Sequence, residues 1–214
     1  DVKYQNLVSQ LNPHFLFNVL NTIGRLALLE GADKTQEMIY AFSDMMRYTL
    51  KKEKNNVVTL KEEMEHVQNY LSIQKMRLGN RLNYSVQIDE MAEDILCPFM
   101  TVQPFVENAI IHAVEPNAKG GRVEITADIQ KDGALLKIID DGKGISRDRI
   151  HKILDGTYEA DGREKNTGIG INNANKRLMY YYGVDYGVEI KSEMEQGTEI
   201  TIRIPRKSLV GRGL

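Results

Sequence analysis

Cysteine is nearly absent from this 214-residue sequence, which contains only Cys97. A lone cysteine excludes an internal disulfide and a cysteine-based zinc cluster. It also fits a reducing compartment. We expect Cys97, directly before Pro98, to be a small buried residue rather than a nucleophile.

An excess of charge of either sign is also missing, since 28 basic residues stand against 30 acidic ones and give a net charge of −2. This balance offers no electrostatic reason to expect nucleic acid or an anionic membrane as the main partner, so we predict no nucleic-acid partner. No apolar run is long enough to span a bilayer, and no signal peptide is recognisable. The sequence begins with Asp1 rather than Met, which leads us to expect a piece of a longer protein.

The sequence does contain an ordinary globular balance of 42% hydrophobic and 27% charged residues, without internal repeats. The period of the hydrophobic residues changes from helical to alternating near residue 80. We therefore predict two domains, of which residues 1–80 are helical and residues 81–214 mix strands with helices.

The first domain is predicted to be a helical hairpin. Apolar residues three or four positions apart form one stripe: Val8, Leu11, Phe15, Val19, Ile23 and Leu26. After a break at Gly31, a second helix carries Met38, Phe42, Met45 and Thr49. A capping box of Thr59 and Glu62 opens a further helix with Leu60, Met64, Val67, Leu71 and Leu78 on one side. A lone hairpin cannot bury both of its faces, so we expect a parallel homodimer through these helices.

The second domain is predicted to combine strands and helices. Alternating apolar residues indicate strands at 82–88, 123–129, 135–139, 188–190 and 200–204. Asp132-Gly133 is typical of a hairpin turn, and helices are expected over residues 102–113 and 170–182, the latter ending at Gly183. This order predicts an antiparallel sheet with helices on one face, a two-layer α/β sandwich in a chain of the α+β class.

Three short segments of the second domain indicate a nucleotide site. The first, Glu107-Asn108-Ala109, offers an amide oxygen suited to Mg²⁺ that bridges phosphates; the plainer interpretation is a solvated helical Asn. The second, residues 140–145 (Asp-Asp-Gly-Lys-Gly-Ile), places the Asp140 carboxylate where it can accept a hydrogen bond from an adenine amino group; the alternative is a polar turn. The third, residues 167–171 (Thr-Gly-Ile-Gly-Ile), opens a helix whose N–H groups can bind anions. The lysine motif of a P-loop is absent.

The order of these segments resembles the N, G1 and G2 boxes of the GHKL ATPase superfamily. That superfamily includes histidine kinases, type II topoisomerases, Hsp90-type chaperones and mismatch-repair ATPases. The resemblance implies a Bergerat-type ATP-binding fold with an ATP lid in the loop from Ser146 to Asn166. Gly197-Thr198, before the last strand, matches a further feature of the superfamily.

Motifs in both domains restrict the resemblance to one group of histidine kinases within the superfamily. Residues 10–18 (Gln-Leu-Asn-Pro-His-Phe-Leu-Phe-Asn) closely resemble the phosphoacceptor motif of the sensor histidine kinases related to LytS and YesM. Residues 103–109 (Gln-Pro-Phe-Val-Glu-Asn-Ala) and 168–173 (Gly-Ile-Gly-Ile-Asn-Asn), followed by Arg177-Leu178, resemble the same subfamily. The similarity extends over nearly the whole chain.

The resemblance implies a protein-histidine kinase in which ATP, with Mg²⁺, phosphorylates His14 and a response regulator receiver domain then accepts the phosphoryl group on an aspartate. It implies Asn108 as the Mg²⁺ ligand and Asp140 as the adenine anchor. Further nucleotide contacts are implied at Gly142, Gly144, Gly168, Gly170, His112, Asn173 and Arg177. Two plainer interpretations stay open, a packed or capping His112 and a solvated Arg177. The chain would be the cytoplasmic portion of a bacterial inner (plasma) membrane protein, whose sensor and membrane segments lie upstream.

The chemistry at His14 follows from its imidazole, which is mostly neutral near pH 7 and keeps a lone pair on one ring nitrogen. That nitrogen can attack the γ-phosphorus of ATP in line. Asn18 lies one turn further along the same helical face, where together with Asn21 it can orient the ring, a phosphoryl group or a water molecule.

Three residues depart from the patterns of the superfamily. Phe15 stands where many histidine kinases have an acidic residue, and Ile111 stands where related kinases often have a phosphate-binding Lys. Pro104 stands where hydrolases such as topoisomerases have a catalytic Glu, which disfavours an ATP-hydrolysing machine. Phe15 and Ile111 keep one alternative open, a non-catalytic dimerisation module that senses nucleotide. The enzymatic alternative is an anti-sigma-factor type of serine kinase, in which the His14 hairpin has no role.

Overall fold

The fold comes from a computed structural model that describes residues 13–52, 56–158 and 167–206. Within these residues six α-helices lie at Pro13–Leu29 (α1), Asp33–Lys52 (α2), Leu60–Leu78 (α3), Gln103–Ala109 (α4), Arg147–Asp155 (α5) and Thr167–Tyr182 (α6). Seven strands lie at Val57–Thr59 (β1), Leu82–Ile88 (β2), Leu96–Pro98 (β3), Gly121–Gln130 (β4), Gly133–Asp140 (β5), Glu189–Glu193 (β6) and Gly197–Pro205 (β7). Helix α4 continues directly into a π-helical turn at Ile110–Val114.

Helices α1 and α2 form the predicted hairpin, joined through Gly31, whose φ is +70°. The two helices approach closely at Gly24, where a Cβ atom would lie only 2.7 Å from Cε1 of Tyr40. Four apolar residues of α1, which we name the α1 stripe, are exposed: Phe15, Val19, Ile23 and Leu26. Val8 and Leu11, the other predicted members of this stripe, lie outside the described residues. The hairpin therefore presents an apolar face to solvent.

Helix α3 begins with the predicted capping box. The Thr59 hydroxyl accepts a hydrogen bond from the backbone N–H of Glu62 at 3.2 Å, and the Glu62 carboxylate accepts one from the N–H of Thr59 at 3.0 Å. The predicted apolar side of the helix is buried: Leu60, Met64, Val67, Leu71 and Leu78. These residues belong to the same apolar core as the central strands and α4, so α3 joins the hairpin to the sandwich.

The main sheet has five strands in the order β2-β4-β5-β7-β6. One face is apolar and covered by helices, as the alternation predicted; its core residues include Ile125, Leu136, Ile138, Ile200 and Ile202. The hairpin turn at Asp132-Gly133 is also confirmed, since β4 and β5 pair on either side of it. The two-layer α/β sandwich is therefore confirmed.

The prediction that this sheet is wholly antiparallel is wrong. Strand β2 pairs with β4 in parallel, from Leu82 opposite Gly121 to Ile88 opposite Ala127. The chain between the two strands contains helix α4, and a crossover of that length is what parallel pairing requires. Alternation of apolar residues marks a strand but says nothing of its direction, which the crossover decides here.

Two further elements were not predicted from the sequence. The resemblance implies a loop at residues 146–166, but α5 occupies Arg147–Asp155, with the Ser146 hydroxyl accepting a hydrogen bond from Arg149 N. Residues 159–166 of that segment lie outside the described residues. Strands β1 and β3 also form a small antiparallel sheet in which Val58 lies opposite Cys97. Cys97 is wholly buried, as expected, and burial raises the pKa of its thiol.

The division into domains at residue 80 stays a prediction. Helix α3 lies before this position, yet it packs both on α2 and on the sandwich. In the parts of the chain that the structure describes, no helix is long and apolar enough to cross a bilayer.

Candidate nucleotide and phosphoacceptor site

Asp140, the last residue of β5, is 9% exposed. Its carboxylate accepts a hydrogen bond from the backbone N–H of Gly142 at 3.0 Å. Burial raises the pKa of Asp140 to about 6, and the neighbouring Asp141 adds to this effect. Asp141 itself is turned away, because its carboxylate accepts a hydrogen bond from Arg122 N at 2.6 Å. The Asp140 carboxylate is thus a buried acceptor, held by backbone groups of Gly142 and Thr198.

The glycines after Asp140 are needed for packing. A Cβ atom at Gly142 would lie 2.4 Å from Cβ of Ala113, in the π-helical turn. Gly144 has a φ of +73°, and a Cβ atom there would lie 2.0 Å from the carbonyl oxygen of Glu193. The segment is therefore pressed between the end of α4 and the β6–β7 turn, and a larger residue at either position would displace it.

Five of the predicted nucleotide residues surround one small cavity at this end of the sheet. They are Asn108, His112, Asp140, Gly142 and Gly144, and the lining is completed by Lys143, Ile145 and Thr198. A wider groove adjoins it, lined in part by His112, Asp141, Lys143 and Glu195. Asn108 is 6% exposed, so this lining residue is largely shielded from bulk solvent.

The cavity shows side chains that the sequence reasoning did not assign to the site. Lys143 brings a positive charge suited to phosphate, and its place between two glycines was the available signal. In the sequence, only the superfamily resemblance of Gly197-Thr198 marks Thr198. Ser192, which supports the cavity without lining it, was not predicted either. Its hydroxyl accepts a hydrogen bond from Ile145 N at 2.8 Å and donates one to the Gly197 carbonyl at 2.7 Å, which fixes the loop against β7.

The second glycine segment lies at the start of α6. Gly168 is helical, and a Cβ atom at Gly170 would contact Cβ of Pro104 at 3.6 Å, so α6 begins against α4. Asn173 is exposed and lines neither of the two pockets around Asp140. The adjacent Asn172 is buried and donates hydrogen bonds to the carbonyls of Ile153 and Leu154 at the end of α5. Nucleotide contacts at Gly168, Gly170 and Asn173 stay predictions.

Arg177 is neither an ordinary solvated residue nor part of the cavity lining. Its guanidinium donates a hydrogen bond to the Met100 carbonyl at 2.6 Å, and burial lowers its pKa. The structure therefore places Arg177 against the turn that precedes α4. A nucleotide contact at Arg177 stays a prediction.

His14 lies in the first turn of α1 and is exposed. Its Nδ1 atom is 3.3 Å from Nδ2 of Asn18, which places the two side chains side by side as expected. The ring lines neither of the pockets around Asp140. The two candidate sites, one on the hairpin and one at the end of β5, are thus separate in the structure.

The chain matches two family models. Residues 2–82 match the histidine kinase family, and residues 94–208 match the family of histidine kinase-, DNA gyrase B- and HSP90-like ATPases. The second match covers more than half of the chain. The chain belongs to this ATPase family. The match over residues 2–82 places it among the histidine kinases of that family.

Curated relatives agree with this family. The chain is 32% identical to the sensor protein LytS of Staphylococcus epidermidis over 208 residues, which are 97% of the chain and 34% of the relative. It is 33% identical to the sensor histidine kinase YesM of Bacillus subtilis over 210 residues, which are 98% of the chain and 34% of the relative. The chain thus spans about a third of the length of these relatives.

Solved structures share the fold of this histidine kinase-type ATPase. The catalytic domain of histidine kinase ThkA superposes with a TM-score of 0.52 at 18% identity, over 71% of this chain and 97% of that domain. The histidine kinase domain of the blue-light activated histidine kinase EL346 from Erythrobacter litoralis gives 0.50 at 16% identity, over 95% of this chain and 91% of that domain. At these identities the likeness concerns the fold alone.

Proposed function

We propose that this chain is the kinase core of a sensor histidine kinase, which uses ATP to phosphorylate its own His14 and passes the phosphoryl group to an aspartate of a response regulator. The observation that carries the proposal is the pairing of exposed His14 with Asn18 on a hairpin attached to an ATPase-family sandwich. A serine kinase of the same superfamily would have no use for this hairpin.

The residues around the cavity fit a purine nucleotide. Asp140 offers a buried acceptor for the adenine amino group, and a guanine oxygen at the same place would leave two acceptors facing each other. Asn108 offers an amide oxygen for Mg²⁺, which in phosphate sites needs only one or two protein ligands. Lys143 can neutralise phosphate charge from the edge of the cavity. Bound ATP would supply the phosphoryl group, and Mg²⁺ would stabilise its charge in transfer.

At His14, Asn18 can select the reactive tautomer. Rotating the Asn18 amide by half a turn presents its oxygen to Nδ1–H, and the lone pair of the neutral ring then resides on Nε2. Nε2 attacks the γ-phosphorus, the bond to the bridging oxygen breaks and ADP leaves, while Nδ1 keeps its proton. Phe15 stands where other kinases have an acidic residue. This scheme needs no neighbouring carboxylate, because the exposed ring can later release the Nδ1 proton to water.

The exposed α1 stripe supports a homodimer through the hairpins, since two copies can bury these apolar side chains against each other. Because the relatives are named sensor proteins and the chain spans about a third of their length, the proposal also places a sensor segment elsewhere in the whole protein, with this core on the cytoplasmic side of a bacterial membrane. The receiver domain of a response regulator is the proposed recipient of the phosphoryl group.

The proposal is tested with γ-labelled ATP and Mg²⁺, comparing the wild type with His14→Gln. We expect acid-labile label on the wild type and none on the variant, while ADP binding is kept because His14 does not line the cavity. His151→Gln, the same change at an exposed histidine of α5, should keep the label. Unlabelled wild-type protein that still binds ADP would instead favour a nucleotide-sensing module, a role with which the exposed Ile111 is compatible.

A further inference from the structure

A buried carboxylate lies between the hairpin and the nucleotide-binding half. Glu63, on α3, is wholly buried. Its Oε1 accepts a hydrogen bond from Val102 N at 2.8 Å, and its Oε2 accepts one from Met100 N at 3.1 Å. Burial raises the pKa of Glu63, and hydrogen bonds from Tyr48 and from backbone amides oppose that rise. A buried carboxylate persists only while such donors are in place, so Glu63 and the turn before α4 must move together.

Met100 is held from both sides in an unusual conformation. Its φ is +59°, a left-handed value that residues other than glycine rarely adopt. Glu63 binds its N–H, and the Arg177 guanidinium binds its carbonyl at 2.6 Å. Arg177 belongs to α6, whose first turn contains Gly168 and Gly170. The Met100 turn also leads directly into α4, which carries Asn108.

The hairpin reaches this cluster through Tyr48 of α2. The Tyr48 hydroxyl donates a hydrogen bond to Oε2 of Glu63, the oxygen that also receives Met100 N. The Tyr48 ring stacks on His66, with ring centroids 4.0 Å apart, and contacts Phe99 at 5.1 Å. Burial and the Glu63 carboxylate raise the pKa of Tyr48, so its hydroxyl stays protonated and remains the donor of this hydrogen bond. Tyr48 lines neither of the pockets around Asp140.

We propose that Glu63 is a positioning residue that couples the hairpin to the nucleotide site. Tyr48 transmits the position of α2 to Glu63, and Glu63 with Arg177 fixes the Met100 turn. The Met100 turn then determines the position of α4, which carries Asn108, and of α6, whose first turn contains Gly168 and Gly170. The inference rests on the proposed nucleotide site. It requires two-way coupling: nucleotide binding must tighten the hairpin contact, and loss of that contact must weaken nucleotide binding by a similar factor.

The test uses Tyr48→Phe, which removes the hydroxyl and keeps the stacked ring. Glu63→Gln would leave buried N–H donors facing an amide and is expected to disturb folding. Hydrogen exchange of residues 40–50 is followed with and without saturating Mg²⁺–ADP. We expect ADP to slow exchange there by at least about fivefold in the wild type and not in the variant, and ADP affinity by calorimetry to fall by a comparable factor. Tyr40→Phe, the same change on the same helix at a ring that packs on Gly24, should keep both responses.

The outcomes separate the two proposals. Wild-type protein that binds ADP without any change in exchange at residues 40–50 overturns the coupling and leaves the nucleotide site standing. The coupling is also overturned if Tyr48→Phe keeps both the ADP response and the affinity. Wild-type protein that does not bind ADP overturns the nucleotide site and the coupling together.

Discussion

In the sandwich, Phe105, Leu136 and Ile202 are wholly buried, whereas in the hairpin Phe15, Ile23 and Leu26 are 68%, 43% and 52% exposed. Both sets are apolar residues at regular spacing along a helix or strand. In the sandwich, the sheet and the helices α3, α4 and α6 supply the covering atoms. In the hairpin, α1 packs mainly on α2, and the α1 stripe is exposed. An amphipathic pattern therefore shows which face is to be buried, and only the fold shows whether the same chain covers it.

The largest expected effect contrasts the two regions directly. Phe105→Ala should lower the free energy of unfolding by about 3–5 kcal/mol, because it leaves a cavity in the sandwich core. Phe15→Ala should lower it much less, and only at protein concentrations where dimers form. Denaturant unfolding at several concentrations measures both. A large loss for Phe15→Ala that is independent of concentration would show that the stripe is covered within one chain.

Ile23→Asn should weaken the dimer by at least about tenfold. Burial of an apolar side chain such as Ile23 in the dimer interface contributes roughly 1.5–3 kcal/mol, and the variant instead buries an amide there in each copy. Sedimentation over a range of concentrations measures the dissociation constant. Val184→Asn, at a residue of the sandwich that is 76% exposed, is the matched control and should leave the dimer unchanged. Equal effects of the two changes would argue against the stripe as the interface.

Asp140→Asn should weaken ATP binding by about 1–3 kcal/mol without changing the dimer, since it replaces one acceptor oxygen of a buried carboxylate by a donor. Calorimetry with ATP and Mg²⁺ measures the loss. Asp128→Asn, the same change at an exposed residue of β4, should have no effect. An unchanged affinity in Asp140→Asn would remove this residue from adenine recognition.

ADP affinity should also depend on pH through Asp140. Its pKa of about 6 lies above the ordinary value, so the carboxylate is ionised at pH 7.5 and mostly protonated at pH 5. Protonation occupies an acceptor oxygen, and we expect affinity to fall by about tenfold between these values. The ratio of wild-type to Asp140→Asn affinity isolates this effect from titration of ADP itself. A ratio that stays constant with pH would contradict the assignment.

The smallest expected effect is on the hairpin, at Asn18. Asn18→Ala removes one exposed hydrogen bond to the His14 ring, so the rate of label incorporation should fall by several-fold, equivalent to about 0.5–1.5 kcal/mol, with ADP affinity kept. The rate of label incorporation in Asn21→Ala tests the other predicted partner of His14 on the same helix. A rate that is unchanged in Asn18→Ala would mean that the ring needs no orientation from this residue.

Much of the fold was predictable because it depends on neighbours in sequence. The Thr59–Glu62 capping box and the β4–β5 turn at Asp132-Gly133 both involve residues within a few positions of one another. Helix α5 was not predicted, because its residues 147–155 contain few apolar positions from which a helical period can be recognised. The cavity was predictable in part. Asn108 and Asp140 carry recognisable chemistry, whereas Ser192 supports the loop through groups of residues 145, 197 and 198, which no local pattern marks.

By itself the sequence determined the two-layer sandwich, the hairpin helices, the apolar stripe of α1 and the side chains suited to nucleotide and phosphoryl chemistry. These depend on residue type and on spacings of two to four positions. Only the tertiary structure decided the parallel pairing of β2 and the meeting of Glu63 and Arg177 at Met100. The crossover between β2 and β4 determines their parallel pairing. Glu63 and Arg177 lie 37 and 77 positions from Met100, and they meet there because buried charged groups need hydrogen-bond partners, which local preference does not determine.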